Sequence, residues 1–218
     1  MQPLSTEAIE RYHRDGILIL RGVFSAPELA AASEETAALL QRTELMEQRN
    51  LRVRWQYHYD TGEPVFELFD PIVDLSPRCH DIARDRRLTS VMETLLGGPV
   101  HLFKDKLIYK PAGAGGYPLH QDFIAWPGFP ESFTTAVVAI DKASTESGCI
   151  EVFPTLHAKG CLSERDGNFH MLSDDSVAGA TPLALELQPV DGIARFDAAQ
   201  MEQALLNLLK NAREAKLD

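Results

Sequence analysis

The sequence predicts a mainly β core with helices flanking it at both ends. Three observations carry this prediction. Residues 100–196 hold the β-branched and apolar runs Val100–Lys110, Phe133–Ile140 and Cys149–Phe153, each bounded by turn residues. Helical patterns with capping residues come before that tract. A long apolar stripe at helical spacing comes after it.

Taken in order, Ser5 to Asp15 reads as a short amphipathic helix with Ile9 and Tyr12 inward, ended by Gly16. Ile17-Leu-Ile-Leu20 reads as a buried strand. Ser25-Ala-Pro-Glu28 is a capping box that opens a second helix through Leu29, Ala32, Thr36 and Leu40. Short strands are expected near Val53–Tyr57 and Val65–Leu68. Ser76-Pro77 opens another helical stretch, and Leu88 to Leu96 a further one that stops at Gly97-Gly-Pro99. Val100 to Lys110 alternates as one long strand. Residues 163–181, rich in Ser, Asp and Gly, read as a loop covering a site.

Bulk properties exclude several function classes. At 218 residues the chain is one domain, or one domain with an appendage, and 44% apolar residues suffice for a core. A net charge of −11 argues against a nucleic-acid or anionic-membrane surface. The first residues lack a signal-peptide core, and no apolar run is long enough for a membrane span. Cys79, Cys149 and Cys161 are odd in number and far apart, a reduced, cytoplasmic usage.

The chemistry centres on Gly113-Ala-Gly-Gly116, which leads into His120-Gln121-Asp122. In a strand, positions i and i+2 share a face, so His120 and Asp122 converge and Gln121 turns away. Imidazole plus carboxylate on one face is two-thirds of the 2-His-1-carboxylate set that holds non-haem Fe(II). The spacing recurs in His13-Arg-Asp15 and His58-Tyr-Asp60. The first ends a helical pattern, where i and i+2 diverge. The second lies beside the turn signal Thr61-Gly62. Only the third has a glycine-rich approach before it and a β-rich tract after it.

Leu107-Ile-Tyr-Lys-Pro111, the glycine turn, His120-Gln-Asp122 and Ser147-Gly-Cys-Ile-Glu-Val-Phe-Pro-Thr-Leu-His-Ala-Lys-Gly160 together resemble the phytanoyl-CoA dioxygenase family. The resemblance runs from about residue 5 to about 190. It implies a double-stranded β-helix (jelly roll, cupin-like), Fe(II), 2-oxoglutarate as co-substrate and hydroxylation of a small molecule. His120 and Asp122 match the family's first two iron ligands. Lys106 and Lys110 on the long strand, with Gln121, are the cofactor-binding candidates. Phe123 and Trp126 are the substrate candidates. The family's third ligand is a more C-terminal histidine, followed by an arginine that pairs with 2-oxoglutarate. The chain has no histidine beyond His170. His157 matches a family turn histidine that is not a ligand, and His170 falls in a variable insertion. Each is weighed as a recruited third ligand.

Residues 1–196 therefore read as the jelly-roll domain, incomplete at its C-terminal end, and 197–218 as an amphipathic helix. Met201, Leu205, Leu208 and Leu209 form the stripe of that helix, capped by Asp197. Asn207-Leu-Leu-Lys-Asn-Ala212 resembles the N-box helix of histidine-kinase ATP-binding domains, with Asn207 and Asn211 as its asparagines. The kinase glycine motifs are absent from the sequence, so no ATP binding is expected. Two rival functions follow: a metal- or ligand-binding jelly roll without turnover, and a regulatory protein that forms a homodimer through the C-terminal helix.

Overall fold

The computed structural model describes residues 4–47, 49–128, 133–168, 170–187, 194–198 and 203–211. Ser5 caps α1 (Thr6–Asp15) by accepting from the Ala8 amide at 3.1 Å. Gly16 ends α1 in the left-handed region, φ 75°, and the chain turns into β1 (Ile17–Leu20). A Cβ at Gly16 would lie 2.3 Å from His157 Nδ1, so glycine also admits that ring. Ser25 and Glu28 form the capping box of α2 (Ala26–Leu39), whose Leu29, Ala32, Thr36 and Leu39 are buried.

An antiparallel hairpin follows, β2 (Val53–Tyr57) with β3 (Pro64–Phe69), its register shifted between Arg54 and Trp55. Helices α3 (Pro77–Arg84) and α4 (Arg86–Leu96) then present Cys79, Ile82, Leu88, Val91, Met92 and Leu95 to the core. The long strand β4 (His101–Lys110) pairs with β3, and β5 (Phe133–Ala139) follows beyond the glycine turn. The remaining strands are β6 (Glu151–Val152), β7 (Leu183–Ala184), β8 (Ala194–Ala198) and β9 (Gln203–Asn211).

Among the described residues, seven strands form one mixed sheet in the order β1-β8-β5-β9-β4-β3-β2, and β6 pairs with β7 in a second, two-stranded sheet. Residues of β4, β5 and β6 line one cavity, which therefore lies between the sheets. This two-sheet wrap is the double-stranded β-helix. The helices cover the opposite face of the large sheet. There Tyr12, Leu29, Phe69, Cys79, Met92, Leu107, Tyr109 and Val138 join one core. Tyr12 and Thr134 hydroxyls bond at 2.9 Å, and the Tyr109 hydroxyl donates to the Thr36 carbonyl at 2.7 Å. Alternation then leaves Lys106, Ile108, Lys110, Thr135 and Val137 on the cavity face.

The C-terminal helix is corrected over part of its length. Residues 203–211 are extended and lie parallel to both β4 and β5. The leucine-rich run 204–209, interrupted by Asn207, suits a helical stripe and also a central strand covered on both faces. Pairing decides between them, since without β9 both β4 and β5 would present an unpaired edge to the gap. The dimerising and kinase-like helix loses its basis over 203–211. Residues 199–202 and 212–218 lie outside the described residues. The run Cys149–Phe153 is shorter than expected and is a strand only at Glu151–Val152.

Candidate metal centre

His120 and Asp122 meet as expected, by a different local geometry. His120 makes an isolated antiparallel bridge with Met171, and Asp122 opens a 3-10 turn over Asp122–Ala125. A bridge entering a turn keeps the two side chains on one side. His120 Nε2 lies 3.4 Å from Asp122 Oδ1, with the side chains 22% and 28% exposed. The glycine turn fixes the approach: His58 packs so closely on Gly113 that a Cβ there would lie 1.8 Å from His58 Nε2. His58 also bridges Ala114, and the Tyr59 amide donates to the Gly113 carbonyl at 3.0 Å.

The partners of the pair define its chemistry. His120 Nδ1 lies 2.6 Å from the Pro118 carbonyl, which can only accept, so Nδ1 carries a proton. That leaves Nε2, the atom facing Asp122, to act as a ligand. Thr135 Oγ1 donates to Asp122 Oδ2 at 3.2 Å and orients the carboxylate from β5. Burial opposes charge on His120, but the hydrogen bond and charge of Asp122 outweigh it and raise the imidazole pKa. Burial likewise opposes the Asp122 carboxylate, while His120, the Lys106 charge and Thr135 hold its pKa below the ordinary value.

The donor set fits a divalent ion. Adjacent donors on a six-coordinate ion, each at about 2.1 Å, stand about 3 Å apart. The 3.4 Å separation needs little adjustment to reach that. No third His, Cys, Asp or Glu of the described residues joins the pair in a cluster within 4.8 Å. His157 lines the cavity, but its Nε2 lies 3.1 Å from the His13 carbonyl. His170 Nε2 bonds Asp166 at 2.8 Å, beside Glu164. The other His-x-Asp sequences are accounted for locally. Asp15 pairs with Arg14, and His58 Nδ1 accepts from the Asp60 and Thr61 amides.

The cavity holds about 640 Å³. Lys106 and Lys110 both line it. The Lys106 ammonium lies 5.7 Å from the centroid of the Tyr117 ring. Lys110 Nζ donates to the Gly148 carbonyl, and burial lowers its pKa. Segment 171–172 covers the pair from the loop, with the Leu172 amide donating to the Leu119 carbonyl at 2.7 Å. Leu172, Asp174 and Val177 of that loop reach the cavity wall.

The remaining candidates sit in different surroundings. Gln121 lines the cavity and also ties the 160–162 loop, its Nε2 donating to the Gly160 carbonyl at 3.0 Å and its Oε1 accepting from the Leu162 amide at 2.7 Å. Each end of a primary amide can make a second hydrogen bond. Trp126 is absent from the cavity lining and packs edge-on against Phe103 at 5.4 Å. The Arg165 guanidinium fixes the Trp126 carbonyl and lies 5.6 Å from the Phe123 ring centroid. Phe123 lines the cavity and is 2% exposed. Thr135 and Tyr117 also belong to the site. The alternation Thr135, Val137 in β5 carried the signal for the first. Tyr117, three residues before His120, had no pattern to mark it.

Fold and site together define a jelly roll that brings an imidazole–carboxylate pair to its cavity. The chain belongs to the phytanoyl-CoA dioxygenase (PhyH) family, whose sequence model matches residues 12–189. It is similar to the methylphosphonate hydroxylase of Gimesia maris, 43% identical over 68 residues, which are 31% of this chain and 26% of that one. It is also similar to the ectoine dioxygenase of Bordetella bronchiseptica, 28% identical over 200 residues, 87% of this chain and 62% of that one. The chain thus spans less than two thirds of the length of these relatives. The crystal structure of EctD from S. alaskensis with 2-oxoglutarate and 5-hydroxyectoine shares the fold. It superposes with a TM-score of 0.70 at 20% identity, over 91% of this chain and 69% of that one.

Proposed function

We propose that the chain is an Fe(II)- and 2-oxoglutarate-dependent hydroxylase module acting on a small molecule, with His120 and Asp122 as its metal ligands. The observation that carries this is the 3.4 Å approach of His120 Nε2 to Asp122 Oδ1 with Nδ1 engaged at Pro118. Iron bound there would supply O₂ activation coupled to 2-oxoglutarate decarboxylation. The residues of the chain supply the setting. Pro118 fixes the His120 tautomer, and Thr135 holds the Asp122 carboxylate. Lys110, half-buried beside a neutral carbonyl, suits the distal carboxylate of 2-oxoglutarate. Leu172 and its neighbours limit water access to the pair.

A second reading is favoured by one observation: among the described residues the pair has no third ligand. On that reading this 218-residue form binds metal weakly and turns over little. Anaerobic Fe(II) titration with and without 2-oxoglutarate, followed by a succinate assay, tests both. Weak metal binding that Asp122→Ala removes and Asp60→Ala preserves, with little succinate, is the expected result. Robust succinate formation that survives Asp122→Ala would refute the site. Robust formation that needs His120 and also His157 or His170 would show a third ligand recruited from a loop.

A further inference from the structure

Three lysines share the cavity-side parity of β4, and they differ in how their charge is met. Lys104, outside the cavity, pairs with Asp70 at 2.8 Å. Lys106 and Lys110 line the cavity, and neither forms an ion pair among the described residues. The chain carries a net charge of −11, so carboxylates are plentiful, yet none is spent on these two. They stand about 13 Å apart along the strand, four residues at about 3.3 Å each. A dicarboxylate held at its keto-acid end offers one distal carboxylate, and one cation satisfies it. The second cation is surplus to the co-substrate.

Its surroundings mark where the second anion would sit. The Lys106 ammonium lies over the Tyr117 ring, and that ring is 6.1 Å from the His120 ring. Asp122 and Glu67 both feel the Lys106 charge, but neither closes an ion pair with it. Asp122 bonds Thr135 and faces His120. Glu67 feels the Lys106 charge, but it is buried and burial raises its pKa. An ammonium with an aromatic wall and open donors is suited to an oxyanion at one end of a small molecule.

We infer that the substrate is a small oxyanion, a carboxylate or phosphonate, anchored by Lys106 so that its carbon chain lies against Tyr117 next to the His120–Asp122 pair. The inference rests on the oxygenase reading for the identity of the ligand as substrate, while the anion site itself stands without metal. Calorimetric titration of the metal-free protein with methylphosphonate and with propionate tests it, with neutral dimethyl methylphosphonate as the comparison. Saturable binding of at least one anion is expected, with the neutral ester bound at least tenfold more weakly. Lys106→Ala should weaken anion binding tenfold or more, Lys106→Arg should restore most of it, and Lys104→Ala should leave it within twofold. Thermal melts confirm that each variant is folded. Absence of saturable binding by either anion, equal binding of the neutral ester, or an unchanged affinity in folded Lys106→Ala overturns the inference. Failure of the oxygenase reading would appear separately, as Fe(II) binding indifferent to Asp122→Ala.

Discussion

Glycine at position 113 does two jobs that no other residue can do together. Its φ is 75°, and a Cβ would fall 1.8 Å from His58 Nε2. Gly62 also has positive φ, 71°, but nothing lies within 4 Å of its Cβ position. The pair separates backbone strain from collision. Gly62→Ala should cost about 1 kcal/mol, the price of the left-handed region alone. Gly113→Ala should cost several times that in urea unfolding, because the ring of His58 must leave its place on the turn. It should also weaken Fe(II) binding, since the displaced turn leads directly into His120. Equal losses for the two variants would mean that the His58 contact does not hold the turn. His120 and Asp122 were legible because spacing and a glycine approach coincide there. The role of Gln121 was not, because its partners, Gly160 and Leu162, are some forty positions away and no local pattern announces them.

At the scale of elements, helix α2 is fastened at its first turn by one carboxylate. Glu28 accepts from the Ser25 amide at 2.7 Å and from its hydroxyl at 2.6 Å, and takes Arg87 of α4 at 2.5 Å. Arg87 leads in lowering the Glu28 pKa, to about 2, with Ser25 assisting. The sign follows from that depression. The folded value lies below the unfolded value of 4.5, so the stabilisation is complete above pH 4.5 and lost as pH falls toward about 2. Glu28 is 42% exposed, so solvent screening limits the ion pair to about 1 kcal/mol or less. Glu28→Gln should therefore lower stability modestly at pH 7, and the gap between variant and parent should close as acid is added. A gap that is constant from pH 7 to pH 2.5 would show that packing rather than charge is at stake. The capping box was plain in Ser25-Ala-Pro-Glu28. The tie from Glu28 to Arg87 was not, for it joins elements whose packing only the tertiary fold decides.

At the scale of the whole molecule, β9 decides whether the large sheet is continuous. Its nine residues pair with β4 on one side, and residues 203–209 pair with β5 on the other, both in parallel register. The sequence misled here for a physical reason. A leucine-rich run satisfies helical and fully buried strand patterns alike, and only the gap between β4 and β5 chooses. Asn207 sits in register with Lys106 and Val137, two cavity-lining positions, so the strand joins the two strands that carry the candidate site. A chain ending at residue 202 should then open two long edges in the middle of the sheet. Such edges recruit other chains, so the truncated protein should aggregate or melt well below the parent, and size-exclusion chromatography with thermal melts would register either. It should also lose the Fe(II) binding proposed for the His120–Asp122 pair, because Thr135 of β5, which bonds Asp122, would no longer be held in register with β4. A truncated chain that stays monomeric, melts with the parent and binds metal as before would show that 203–211 contributes nothing to the sheet. In that case the pairing of β4 with β5 would have to be made some other way.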